Sequence, residues 1–321
     1  MGRDALSLAL SFLNLTADDE VLLPVYTCQD VVKAFIRNNR VLFYDVQPDL
    51  TIDPDAIKEK LAAHRIKVMV ITNYFGFLQP FRKQIKEMCA QSGTCLIEDC
   101  AHSLLTPGSG ETGDLVIYSF RKILPLTDGG GLKVNFRSEQ FAPQFYPRAY
   151  SDALSILLKL KSQVKVRSQA FSRARMVSYA SKVSPSAQAP KWNGRVLPLS
   201  YFAAKSMADM SFPQIVKRRR EDFQFWQELA RRSGFLFPVF SDLPADVCPA
   251  GFAIRMKDRS SIEARARSAG IPLSVHWRLD QTLGRECTAS HELSRQTLTL
   301  PIYPELRPGQ RETLARIVTQ R

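Results

Sequence analysis

The feature that most constrains the fold is a regular alternation of short apolar segments and amphipathic segments through the first 136 residues. The apolar segments have the length of strands: EVLLP (20–24), RVLFYDV (40–46), KVMVIT (67–72), TCLIED (94–99) and DLVIYSF (114–120). The segments between them carry helix signals, which are complete at 53–65, where an acid and a proline open the segment and basic residues close it. This alternation predicts an α/β fold with parallel strands, whose ligands bind beyond the carboxyl ends of the strands.

A second α/β pattern occurs near the C-terminus. It consists of FAIRMK (252–257), SSIEARARSAG (260–270) and IPLSVHW (271–277), which favour a strand, a helix and a strand. A chain of 321 residues also exceeds what one hydrophobic core usually fills. We therefore predict a large domain over residues 1–234 and a small C-terminal α/β domain over residues 235–321.

The segment from about 148 to 195 differs from the rest in composition. It contains ten Lys or Arg against one acid, Asp152, and so carries most of the net charge of +13. Its apolar residues have helical spacing, which predicts a basic helical insertion in the large domain. Two interpretations stay open: a solvated helical hairpin, or a contact with an anionic surface such as a sugar diphosphate or a membrane. The segment lacks interleaved aromatic residues, which argues against nucleic-acid binding.

Targeting and cysteine patterns favour a cytoplasmic protein. No run approaches the roughly 18 apolar residues that span a bilayer, and the N-terminus lacks the pattern of a signal peptide. The six cysteines form no CxxC pair and no dense framework, which favours reduced thiols over disulfides or a zinc site. We expect no metal.

Two charged residues follow successive predicted strands. Asp99 ends TCLIED, and Lys122 comes just after DLVIYSF. Taken alone, Asp99 is explained as a helix cap and Lys122 as a surface lysine. Taken together, they are the pair that enzymes dependent on pyridoxal phosphate (PLP) require. The lysine forms a Schiff base with the cofactor aldehyde, and the acid keeps the pyridine nitrogen protonated.

The sequence resembles the DegT/DnrJ-type aminotransferases, fold type I PLP enzymes that aminate keto groups on nucleotide-linked sugars. The matching stretches are GRDALSLAL (2–10), DDEVLLPVYT (18–27), YFGF (74–77), LIEDCAHS (96–103), YSFRK (118–122), DGGGLKV (128–134), FPQIVKRRRE (212–221) and LPIYPEL (300–306). Each stretch is weak evidence alone, but their order along nearly the whole chain is specific. The resemblance implies a fold type I large domain with a mainly parallel sheet.

The resemblance assigns cofactor roles to named residues. Lys122 would form the Schiff base and carry protons between cofactor and sugar, and Asp99 would pair with the pyridine nitrogen. His102 would contact the cofactor ring, although a buried histidine satisfied by the backbone is the alternative. Cys28 lies at the position where the family has an aromatic residue that stacks on the cofactor, and Tyr26 is a candidate to compensate.

Phosphate and substrate contacts are implied in the same way. Gly2 and Arg3 precede the first helix, whose N-terminus can bind phosphate, and Ser119 would add a hydroxyl. Tyr74 and His276 are candidate substrate contacts, although a lone histidine on a strand is more often structural.

The function implied is amino transfer from an amino acid, usually glutamate in the family, to a keto-sugar of surface-polysaccharide or related glycan synthesis. A homodimer is implied as well. A PLP sugar dehydratase is the runner-up, but relatives of that kind have histidine where this chain has Lys122. A non-catalytic remnant also stays open, because family members carry a segment ahead of the GRDA-like motif that begins here at residue 2.

Overall fold

A six-stranded sheet forms the centre of the molecule. The computed structural model describes residues 1–136, 199–271, 273–306 and 309–320. The strands are β1 (Glu20–Pro24), β2 (Arg40–Tyr44), β3 (Ile66–Thr72), β4 (Cys95–Asp99), β5 (Leu115–Tyr118) and β6 (Gly131–Val134), in the order β2-β1-β3-β4-β5-β6. The first five are parallel, and β6 runs antiparallel to β5. The predicted α/β class with a mainly parallel sheet is confirmed.

Helices connect the strands where the amphipathic segments predict them. They are α1 (Gly2–Leu13), α2 (Gln29–Phe35), α3 (Pro54–Ala63) and α4 (Arg82–Ser92). Local chemistry explains their ends: the Asp53 side chain accepts from the Asp55 amide at the start of α3, and Gly93 ends α4 in the left-handed region at φ 69°. The central strands are buried along most of their length, as expected for a parallel sheet covered on both faces.

A one-turn helix, α5 (Phe120–Ile123), follows β5 and contains Lys122. The sequence pattern had placed Phe120 in the preceding strand and Lys122 in a loop. The strand ends earlier because the chain turns at Ser119, and the Leu124 amide then donates to the Phe120 carbonyl. Lys122 is therefore held on a hydrogen-bonded turn.

The C-terminal part contains a second, antiparallel sheet with its own core. Its strands are β7 (Phe237–Pro238), β8 (Phe252–Arg255) and β9 (Thr297–Leu300). The remaining helices are α6 (Tyr201–Ala208), α7 (Phe212–Ser233), α8 (Arg259–Ser268), α9 (Thr288–Gln296) and α10 (Gln310–Thr319). Helix α7 buries Phe223 and Trp226 in this second core. The domain boundary after residue 234 stays a prediction.

The sequence pattern predicts a strand at 271–277. The described residues of this segment, 271 and 273–277, do not form the predicted strand: Ser274 makes one isolated bridge to Thr299, and the chain turns at His276 and Trp277. Contacts of these two rings with the large sheet's loops outweigh the local strand pattern.

The predicted basic insertion at 148–195 lies outside the described residues. Within the described ranges, no helix has the length and apolar character to cross a bilayer.

A fully buried arginine on α7 joins distant parts of the chain. Arg219 is 1 % exposed. Its guanidinium donates to four main-chain carbonyls, those of Ile123, Pro249, Ala250 and Tyr303, at 2.6 to 3.0 Å. Ile123 is the residue after Lys122, so this cation fixes the end of α5 against two C-terminal segments.

We predict that Arg219→Met lowers the free energy of unfolding by about 3–5 kcal/mol, because it leaves buried carbonyls without a donor. Arg218→Met is the matched control, since Arg218 is exposed and its guanidinium lies over the Tyr303 ring, 5.3 Å from its centroid. It should cost less than about 1 kcal/mol. Denaturant unfolding of both variants measures the difference, and equal losses would contradict the role given to Arg219.

Candidate active site

The candidate site lies at the carboxyl edge of the six-stranded sheet. The strand order reverses between β1 and β3, which is where sheets of this kind bind ligands. The segments that follow the strands meet at this edge; they are residues 25–28 after β1, 73–77 after β3, 100–103 after β4 and 119–122 after β5. Every residue that the sequence singled out lies on one of these segments, on β4, at the start of α1, or on the 276–277 turn.

The centre of the site is a contact between Lys122 and His102. The Lys122 Nζ lies 2.9 Å from His102 Nε2. Burial lowers the pKa of Lys122, and it lowers that of His102 well below its ordinary value, helped by the neighbouring Lys122 charge. The other ring nitrogen of His102, Nδ1, is buried and has no hydrogen-bond partner among the described residues. The site therefore combines a lysine amine with an imidazole that stays neutral near pH 7.

Asp99 supplies a carboxylate beside this pair. Its side chain is buried, and Oδ1 accepts from the Ala101 amide at 2.9 Å. Burial raises the pKa of Asp99, while the Lys122 charge lowers it. In the reverse direction, Cys28 and Asp99 raise the pKa of Lys122 and so oppose the effect of burial. Asp99, Cys28 and Lys122 thus lie close enough to interact electrostatically.

A second buried carboxylate holds the strand end that carries Asp99. Glu98 accepts hydrogen bonds from the Asn73 side chain at 2.8 Å and from three amides of the following loop, those of Gly110, Thr112 and Gly113, at 3.0 to 3.2 Å. These bonds connect β3, β4 and the loop before β5. Glu98 therefore positions Asp99.

The residues predicted to bind phosphate lie together at the start of α1. A Cβ on Gly2 would come within 3.1 Å of the Ser119 Cβ, so only glycine fits easily between helix and strand end. The Ser119 hydroxyl does not cap α5. Arg3 Nε lies 3.8 Å from the Asp30 carboxylate, which fixes Arg3 beside α2. Gly130 is also confined, since an added Cβ would lie 2.5 Å from the Met1 carbonyl carbon.

Aromatic rings form one wall of the site. Trp277 stacks on His102 with ring planes 11° apart and centroids 5.4 Å apart, and Lys122 Nζ lies 5.7 Å from the Trp277 ring centroid. The His276 ring lies 5.2 Å from the His102 ring and hydrogen-bonds Thr299 at 2.9 Å. Burial lowers the pKa of His276 to about 3. His276 is thus a neutral neighbour of the Lys122 and His102 pair.

Tyr74, a predicted substrate contact, lies behind this wall. It is 1 % exposed, and its hydroxyl donates to the Tyr26 carbonyl at 2.7 Å. Its ring packs 6.0 Å from that of Trp277. The geometry gives Tyr74 a supporting contact with the wall, and a direct substrate contact stays a prediction.

Comparison with known proteins identifies the family. The sequence profile of the DegT/DnrJ/EryC1/StrS aminotransferases matches residues 1–319. The chain belongs to this family. The resemblance predicted from the sequence motifs is thereby confirmed.

The relatives of this DegT/DnrJ-type chain are distant. It is 28% identical to GDP-perosamine synthase of Vibrio cholerae over 141 residues, which cover 42% of this chain and 38% of the relative. It is 23% identical to UDP-N-acetyl-3-dehydro-alpha-D-glucosamine 3-aminotransferase of Acidithiobacillus ferrooxidans, over 99% of this chain and 81% of the relative. The crystal structure of NtdA of Bacillus subtilis with bound PMP superimposes with a TM-score of 0.66 at 17% identity, over 99% of this chain and 72% of NtdA.

The site of this family member fits PLP. The cofactor needs a lysine amine for its aldehyde, an acid for its ring nitrogen, a polar group for its ring oxygen and amide donors for its phosphate. Lys122 and Asp99 meet the first two needs. The buried Nδ1 of His102, which has no hydrogen-bond partner among the described residues, is a polar atom that can meet the third need. Gly2 and Ser119 lie together at the N-terminus of α1, where main-chain amides can meet the fourth.

Sequence reasoning missed three residues that shape this DegT/DnrJ-type site. Of the two adjacent rings in SVHW, the sequence analysis selected His276 and not Trp277. Glu98 appeared only within the predicted strand TCLIED, and Arg219 only within the motif FPQIVKRRRE (212–221). Glu98 and Arg219 are distinguished by their burial, and a single sequence does not reveal whether a charged residue is buried.

We predict that Lys122 reacts with an amine-specific acylating reagent with a half-maximal pH below 10.5, its ordinary pKa, because burial favours the neutral amine. Asp99→Asn should move this pH lower still, since it removes a charge that favours the ammonium form. Labelling is measured by mass spectrometry across pH, with exposed Lys217 as the reagent control. A half-maximal pH above 10.5, or an upward move in Asp99→Asn, would contradict the electrostatics described.

Proposed function

We propose that this protein is a PLP-dependent aminotransferase that moves an amino group from an amino acid to the keto group of a nucleotide-linked sugar. The observation that carries the proposal is the buried Lys122 amine, hydrogen-bonded to His102 beside Asp99, in a member of the DegT/DnrJ/EryC1/StrS aminotransferase family. Lys122 also argues against the dehydratase alternative, in which histidine replaces the lysine.

When bound, PLP supplies an aldehyde that lysine can hold and a protonated ring that stabilises negative charge at the reacting carbon. Asp99 maintains that protonation as a buried carboxylate. Lys122 would hold the cofactor aldehyde, and its free amine would carry a proton to or from the substrate carbon. Burial lowers the pKa of Lys122, which favours the neutral amine that proton removal requires.

His102 orients Lys122. Because the His102 ring is neutral, its Nε2 accepts a hydrogen bond from the lysine, and the ring proton then lies on Nδ1. A buried N–H donor that has no partner in the part of the chain that the structure describes suits an acceptor oxygen on the cofactor ring. Gly2, Arg3 and Ser119 hold the phosphate at the N-terminus of α1, and His276 contacts substrate from the C-terminal side.

We further propose an amino donor, a pathway, a cellular location and an oligomeric state. The amino donor is glutamate, the product enters surface-polysaccharide or related glycan synthesis, and the enzyme acts in the cytoplasm as a homodimer. The names of relatives that act on GDP- and UDP-linked sugars support a nucleotide-sugar substrate.

Lys122→Ala should abolish covalent attachment of PLP. In the wild-type protein, borohydride reduction should leave the cofactor on the Lys122 peptide, and glutamate should bleach the visible band of the lysine-bound cofactor. The variant should show neither, and its amino-transfer rate should fall by at least about 10³-fold. Lys217→Ala is the control because that lysine is exposed on α7. Peptide mapping that found the adduct elsewhere would refute the assignment.

Light scattering after size exclusion should give the mass of a dimer of the 36.2 kDa chain. Fold type I enzymes build each active site at a dimer interface, and the resemblance extends this to the present chain. A monomer that still binds PLP and transfers amino groups would contradict this part of the proposal.

A further inference from the structure

Two features that the proposed function leaves unexplained are a small residue, Cys28, on the segment after β1 and a large, half-buried ring, Trp277, beside Lys122. The family resemblance calls for an aromatic residue at the position of Cys28, to stack on the cofactor ring. Cys28 lies at the start of α2, near enough to Lys122 to affect its pKa. A thiol there leaves the cofactor ring without an aromatic partner from that segment.

Tyr26, two residues earlier, does not fill this place. Its ring is fully buried, and its hydroxyl donates to the His276 carbonyl. Its edge packs against Trp277 with ring centroids 5.5 Å apart and planes at 71°. Tyr26 thus supports the Trp277 turn.

Trp277 has the position and orientation that Tyr26 lacks. It is only half-buried, its face is directed at the Lys122 amine at 5.7 Å, and it lies nearly parallel to His102. A flat ring attached to Lys122 Nζ would start beside the Trp277 face. No other aromatic ring of the described residues is recorded over this amine.

The ring is held in this orientation by the protein itself. Tyr26, Tyr74 and His276 all pack around it, with ring centroids 5.5 to 6.0 Å from that of Trp277. The Ser294 hydroxyl donates to the Trp277 carbonyl at 2.8 Å and accepts from the Leu279 amide at 3.0 Å, which fixes the main chain around the turn. A ring fixed in advance loses little entropy when a ligand stacks on it.

We infer that Trp277 is the aromatic residue that stacks on the cofactor ring, in place of the residue missing at Cys28. The inference rests on the proposed PLP site. In this arrangement the aromatic contact comes from a turn of the C-terminal part, next to the candidate substrate contact His276, and not from the loop after β1. Cofactor affinity in this chain therefore depends on how the C-terminal segment is positioned.

Binding of PLP and of pyridoxamine phosphate to three variants tests the inference. Pyridoxamine phosphate has the same ring and phosphate but cannot condense with Lys122, so it reports the non-covalent contacts, stacking among them, without the covalent bond. Trp277→Leu should weaken binding of both about tenfold, the size of a favourable aromatic contact. Trp277→Phe should lose less, because a ring remains. In Trp277→Leu with Cys28→Tyr, a ring is restored on the other segment, and affinity should return to within about threefold of wild type.

The controls separate the possible failures. Phe237→Leu removes an exposed aromatic residue of β7, 58 % exposed, and should leave both affinities unchanged. Circular dichroism and thermal unfolding of the cofactor-free variants establish that they are folded. If wild-type protein binds neither compound, the proposed function fails. If it binds both and Trp277→Leu binds equally well, the inference is wrong. Loss of PLP affinity without loss of pyridoxamine phosphate affinity would also overturn it, because Trp277 would then act on Lys122.

Discussion

The buried guanidinium of Arg219 is the interaction on which the arrangement of the site depends. It joins the turn that carries Lys122 to the segments at 249–250 and 303, which are more than 100 residues away in sequence. A guanidinium presents five N–H donors in one plane, so a single side chain can satisfy four carbonyls at once. A neutral side chain of similar size would leave those carbonyls buried without donors, and Lys122 would lose its fixed relation to the C-terminal part.

Burial then determines the chemistry that this arrangement supports. The three basic groups at the centre, Lys122, His102 and His276, are all desolvated, and all three pKa values are lowered. Asp99 and Cys28 act in the opposite direction on Lys122 only. Burial therefore favours the neutral amine of the lysine, with these two groups opposing it, while the two imidazoles stay neutral and serve as acceptors or fixed contacts.

Much of the large sheet was predictable because local patterns and tertiary structure agree there. The strands from Glu20 to Tyr118 are apolar runs bounded by helix signals, and each is observed within a few residues of its predicted place. Asp99 and Lys122 were predictable for a related reason, since polar residues that end buried parallel strands must meet at one edge of the sheet. Where local and tertiary preferences conflict, prediction was wrong, as at 271–277, where packing of His276 and Trp277 outweighs a strand-like sequence.

The sequence by itself determined the α/β order of the large sheet, the family, and the identity of the lysine and acid at the strand ends, because these follow from periodicity, spacing and motif order along the chain. Only the tertiary structure decided which charged residues are buried and which rings face Lys122. Glu98 and Arg219 look like surface residues in sequence, and Trp277 is separated from Lys122 by more than 150 positions. Their roles arise from contacts between distant segments, and no local pattern encodes such contacts.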